Sequence, residues 1–168
     1  MMNSRESICP GCTLAMPRQE SAGYDGYFNA SPECWGVFTE VLESEFSNAV
    51  LFGQVHQLTV DTYAVQHAGG NHPDKSVVVH LTGLHLALIQ GVRPPNVAPL
   101  LQRFASRVKT WPHLAPPRRI GDITVCDVAL AESMEDHVNK VREWSRAVWD
   151  AWSEHHPEVA RLVSLCLV

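Results

Sequence analysis

From Pro32 onward the chain is a series of apolar runs at helical spacing, whereas residues 9–31 (CPGCTLAMPRQESAGYDGYFNAS) show no period of 2 or 3.6. Ser31 offers an N-cap, Pro32 a first helical position and Glu33 a first-turn acid, which predicts a helix from Pro32 to about Phe46. A second helix is expected from about Ala49 to His67, stopped by Ala68-Gly69-Gly70. Its apolar residues fall all around the wheel, with Leu58 and Val65 nearly opposite Val60 and Tyr63, so it should be central. A third runs from about Asp74 to Gln90 and ends at Gly91. Its Val77-Val78-Val79 run would suit a strand, but LTGLHLALIQ continues it without a turn signal.

Pro94-Pro95-Asn96 breaks the chain and caps a shorter helix from about Val97 to Lys109, followed by the proline-rich connection WPHLAPPRRIGD. Ile123-Thr124-Val125 reads as a short extended piece or as the lead-in to a helical turn. A long amphipathic helix follows from about Ser133 to His155, with Val138, Val141, Trp144, Val148, Ala151 and Trp152 on one stripe, and Pro157 starts a final short helix. Trp144, Val148 and Trp152 are expected to be core. The pattern predicts an all-α, single-domain helical bundle over residues 32–168, with residues 1–8 a flexible lead-in and 9–31 a loop ordered by something other than a core.

Composition narrows the function classes. At 168 residues the chain is long enough to bury a core as one domain. The net charge of −5 and the lack of dense Lys/Arg clusters argue against nucleic acid as a partner. No window approaches the length of a membrane span and no secretory leader is evident, so a cytoplasmic location without membrane contact is expected.

Five cysteines are an odd number, and two form the pair Cys9-Pro10-Gly11-Cys12, which favours metal over a disulfide framework. Thiolates two residues apart on a turn grip a tetrahedral zinc ion without strain. A redox dithiol has the same spacing, but it would open a helix after a strand, and no helical pattern follows here. Cys34, in the first turn of the Pro32 helix, is the natural third ligand. A zinc knuckle would also explain what orders residues 9–31. Cys126 and Cys166 sit in apolar surroundings and read as core.

If the first two helices form an antiparallel hairpin through Ser47-Asn48, the Cys34 end of one lies beside the His67 end of the other. His56 shares that face but lies about 16 Å away along the axis. His67 is therefore the expected fourth ligand, with His72 or a water as competitors. The same arithmetic for the third helix sets His80 level with Asp61, and His85 level with His56. These two couples, Asp61 with His80 and His56 with His85, are candidates for satisfied buried pairs or for a catalytic pocket. His80 and His85 point about 140° apart and should not share one ligand. His137 and His155-His156 read as solvated helix-end positions.

CPGC at Cys9 to Cys12, SPECW at Ser31 to Trp35 and the block VHxLTVDxYAVQH from Val55 to His67 together resemble an uncharacterised bacterial family, a domain of unknown function. The likeness extends through SVVVHLTGLHL and the tryptophan-bearing helix, with Thr13 and Ala68 as small departures that touch no proposed ligand. The resemblance implies no assigned reaction.

Two function classes follow. In one, the protein is a small metalloenzyme with structural zinc, in which Asp61, His80, His56 and His85 act as acid/base groups or second-metal ligands on a small molecule. A variant puts substrate at an open zinc position with His67 as base. In the other, it is a binding or regulatory module whose zinc orders a protein-recognition surface, with Tyr24, Tyr27 and Phe28 exposed for a partner. No nucleotide loop, Gly-x-Ser-x-Gly elbow or His-Glu-x-x-His helix is present.

Overall fold

The local signals at Ser31 act as expected. Its hydroxyl accepts from the Cys34 N–H, Pro32 occupies the first turn, and helix α1 runs Pro32–Phe46. The computed structural model describes residues 5–20 and 23–167, and residues 1–4 of the expected lead-in lie outside them. Asn48 caps α2 (Ala49–Gln66), its side chain accepting from the Val50 and Leu51 N–H groups. The α2 helix packs against α1, α3 (Asp74–Leu84), α4 (Pro94–Arg107) and α6 (Met134–Ala151), which makes it the central element that its all-round apolar wheel requires.

Three departures have local causes. The third helix does not stay α-helical to Gln90, because residues His85–Ile89 widen into a π-helical turn. The fourth starts at Pro94, earlier than expected, since prolines are accommodated in a first turn whose N–H groups have no intrahelical partner. Val125–Ala129 forms the short helix α5, held by a capping box in which Thr124 and Asp127 satisfy one another's backbone N–H groups. A single 3-10 turn at Ser153–His155 then leads from α6 into α7 (His156–Leu167).

A small antiparallel hairpin, β1 (Glu6–Ile8) and β2 (Ala15–Pro17), with Ile8 opposite Ala15, joins the end of the stretch expected to be a flexible lead-in to the segment read as a patternless loop. Three-residue strands are too short to show a period. The hairpin folds against the start of α1, where the Gln19 N–H donates to Glu33.

The main core runs from Cys9 to Cys166, with Trp144 and Trp152 fully buried, and a smaller cluster gathers Leu86, Val97 and Leu101. The Trp144 indole donates to Gln66, whose amide nitrogen donates in turn to the Ile120 and Ile123 carbonyls at 2.9 and 2.8 Å. A fully buried glutamine is thereby satisfied, and it pins the proline-rich connection to the central helix. No helix among the described residues is long and apolar enough to cross a membrane.

Candidate metal centre and buried carboxylate–histidine clusters

The β1–β2 turn carries the knuckle. The Thr13 N–H returns to the Cys9 carbonyl and the Cys9 N–H to that of Leu14, so the two thiols project to one side. Gly11 is pressed against the end of α2. A Cβ there would lie 2.5 Å from the Asn29 carbonyl and 2.6 Å from the His67 ring, so only glycine permits this approach. Thr13 adopts a left-handed backbone conformation (φ 61°), a conformation strained for a β-branched residue.

Cys34 arrives from the first turn of α1 and His67 from the C-terminal end of α2, as the antiparallel hairpin requires. One ligand atom from each of Cys9, Cys12, Cys34 and His67 lies within 4.8 Å of all the others, and all four residues are buried, so the group could hold a metal ion. Cys12 and Cys34 sulfurs are 3.8 Å apart, and the Cys34 sulfur is 3.4 Å from His67 Nε2. All five cysteines are free thiols. His72 is not drawn into this group: its Nδ1 faces the His67 carbonyl at 3.1 Å and its Nε2 the Ser76 hydroxyl at 2.7 Å.

The surroundings orient these groups. His67 Nδ1 donates to the Tyr63 carbonyl at 2.8 Å, which leaves Nε2 as the bare nitrogen facing the thiols. Tyr63 OH donates to the Cys34 sulfur and the Ser31 N–H to that of Cys9. Phe38 stacks on Tyr63 and Tyr63 on His67, while Tyr24 stacks on Trp35 and Phe28 meets Tyr63 edge-on. Of the three loop aromatics expected to serve a partner, Tyr24 and Phe28 therefore fold back over the centre, and Tyr27 remains substantially exposed.

Three thiols in one dry site cannot all ionise unaided. Hydrogen bonds from Cys12 and Cys34, opposed by burial, hold the Cys9 thiol far below its ordinary range. The hydrogen bond from Cys34 pulls Cys12 down, but its hydrogen bond to Cys9, burial and the Cys9 charge outweigh it and raise Cys12 to about 12. Hydrogen bonding to Cys12 and Cys9, then burial, pushes Cys34 up further still. A bound divalent cation would reverse this by compensating the additional thiolates.

Asp61 and His80 meet as the helix arithmetic expects, His80 Nδ1 lying 2.7 Å from Asp61 Oδ1. Gln57 donates to the same oxygen at 2.9 Å, and the fully buried Oδ2 has no partner among the described residues. Burial raises the Asp61 carboxyl, and the His80 hydrogen bond and charge, with the Gln57 bond, only partly offset it. Asp61 is accommodated because Gly83 faces it: a Cβ there would lie 2.6 Å from Asp61 Cγ. Gly83→Ala is therefore expected to destabilise the fold by roughly 1–3 kcal/mol despite alanine's better helix propensity. A thermal melt checks it, and an unchanged melting temperature would mean that this contact is not tight.

The second expected couple does not form. His56 faces α1, where its ring meets Phe46 and its Nδ1 pairs with Glu45 at 2.9 Å. His85 lies in the π-helical turn, where its ring approaches Trp149 and its Nε2 lies 3.3 Å from the Gln90 amide. Residues across two helices can be level and still point to different neighbours, and this happens here. Glu45, absent from the sequence reading, is fully buried and also takes the Thr59 hydroxyl at 2.6 Å and His137 Nε2 at 3.0 Å. His137 is thus buried rather than solvated. Burial opposes ionisation of Glu45, but the bonds from His137, His56 and Thr59 prevail and hold its carboxyl below the ordinary value of 4.5.

No curated protein and no solved structure matches the chain. A family model does match, over most of the length and across every residue of the candidate metal centre. The chain belongs to a family of unknown function, DUF5946, whose model covers residues 7–153.

Proposed function

We propose that this protein holds one structural zinc ion through Cys9, Cys12, Cys34 and His67, and that the ion clamps the N-terminal hairpin onto the α1–α2 pair. The convergence of three buried thiols and one imidazole supports this most directly. Zinc fits the donor set: metal–sulfur bonds of about 2.3 Å give tetrahedral sulfur–sulfur edges of about 3.8 Å, the separation of Cys12 and Cys34. Four protein ligands complete the coordination sphere and leave no open position for substrate, so this centre orders the fold. Metal analysis of protein purified under reducing conditions without chelator should give one zinc per chain. A metal-free, fully folded protein would overturn the assignment.

A second reading, acid/base chemistry at Asp61 and His80, is favoured by one asymmetry. Asp61 is sealed in (side chain 1% exposed) while His80 is 20% exposed, so a buried carboxylate orients an accessible imidazole. His56 and His85 stand apart from this pair.

A further inference from the structure

The α3–α4 groove contains a cavity of about 410 Å³, largely apolar, whose wall includes Tyr27, Val79, His80, Leu101 and Ala105, with Lys75 also lining it. His80 Nδ1 is engaged by Asp61, and Nε2 makes no hydrogen bond among the described residues. Ser76, one helical turn before His80, also lines the cavity, but its hydroxyl is held by His72. Nε2 is therefore the wall's uncommitted imidazole acceptor.

Burial makes that acceptor unusual. Asp61 takes both of its hydrogen bonds on Oδ1 and none on Oδ2, so its carboxylate is poorly compensated where it sits. A proton arriving at His80 Nε2 creates an imidazolium next to it and supplies the missing charge. The group that gives up the proton becomes an anion facing the imidazolium, while the Lys75 ammonium is turned over the Trp111 ring, 5.8 Å from its centre. The lining leaves apolar surface for the remainder of such a molecule.

We propose that this cavity binds a small phenol acidic enough to ionise near neutral pH, whose O–H proton passes to His80 Nε2 so that the anion is held by the imidazolium. In this transfer the O–H bond breaks, its electron pair stays on the ligand oxygen, and the N–H bond forms on His80. Asp61 is a positioning residue that fixes the Nδ1–H tautomer. The proposal deepens the acid/base reading of Asp61 and His80 and is independent of the metal centre.

4-Nitrophenol is a suitable probe because its anion absorbs visible light and its neutral form does not. Titration of the metal-loaded protein should show saturable binding with the anion enriched over free probe at the same pH. His80→Gln should weaken binding about tenfold or more and remove the enrichment, since a charge-assisted hydrogen bond is lost. Ala105→Phe, at a half-buried site on the cavity wall, should abolish binding by filling the space. Asp61→Asn should lower the bound anion fraction, a readout that packing alone would not move. Metal content and melting temperature measured on each variant separate these effects from misfolding. No saturable binding to wild type, or binding indifferent to His80→Gln or to Ala105→Phe, overturns the proposal. Imidazole nitrogen NMR tells the two levels apart. A bare Nε2 on His80 without probe binding would retire the ligand class alone, whereas a protonated Nε2 with bare Nδ1 would retire the acid/base pair itself.

Discussion

Cys34→Ser is expected to yield protein with less than stoichiometric metal and a melting temperature lowered by roughly 10 °C or more. A serine hydroxyl does not ionise at neutral pH and is a poor zinc ligand, so the proposed sphere would be reduced to two thiolates and one imidazole. Metal sites of this kind contribute apparent binding energies of about 10–16 kcal/mol in zinc-finger peptides. Losing even about 4 kcal/mol of that would shift the melt by roughly 8–16 °C in a domain of this size. The damage should be uneven. α2 also packs on α3, α4 and α6 without help from the knuckle, so the far-ultraviolet helical signal should persist. Limited proteolysis should instead open the segment between β2 and α1. A variant with full metal content would show that Cys34 is not a ligand.

Glu45→Ala should be nearly as damaging, for a different reason. One fully buried carboxylate joins α1 to His56 and Thr59 of α2 and His137 of α6. Removing it leaves the buried Thr59 and His137 and the half-buried His56 without an acceptor, a class of change that costs about 3–5 kcal/mol. Its pH dependence identifies the mechanism. The folded-state carboxyl sits below the ordinary value of 4.5, so the ion contributes its full stability above that pH and loses it as pH falls through the depressed value. The gap between wild type and Glu45→Ala in denaturant melts should therefore be widest near neutrality and narrow below pH 4.5. A gap that is constant over this range would assign the loss to the cavity alone.

These two sites differ in how far the sequence announced them. Cys9, Cys12, Cys34 and His67 could be brought together on paper because two of them share a turn and the others sit at matching ends of one helical hairpin. That geometry needs only a rise per residue and an antiparallel link. Asp61 and His80 were reached by the same arithmetic across the next hairpin. Glu45 and His137 were not, because they are 92 residues apart and meet only where α1 and α6 pack on the same side of α2. Nothing local to either residue signals the other. His85 failed for a plainer reason: it is level with His56, and its N–H still bonds the Leu81 carbonyl as in an α-helix, but it faces Trp149 of α6 while His56 turns to Glu45 of α1.

The helix boundaries follow the same division. Ser31-Pro32 and the α2 start after Asn48 are written in cap residues, and the structure obeys them. Pro94-Pro95-Asn96 is read as a break that caps a helix from about Val97, but the helix takes these residues in as its first turn, since they suit either place and only the packing of α4 on α2 decides. The β1–β2 hairpin left no trace in the hydrophobic pattern because its order comes from its turn and its neighbours.

The knuckle has a topological consequence as well as a packing one. A metal joining Cys9 to His67 ties the start of the chain to the end of the central helix, closing a ring of about 60 residues that includes all of α1 and α2. Such a ring restricts the unfolded chain as well as supporting the folded one, and the chain-entropy relation for a crosslink of this span gives about 4 kcal/mol. The ion would thus act as a reversible crosslink, present or absent according to the metal supply. The protein's tolerance of unfolding would then be set partly by its surroundings and not by its sequence alone.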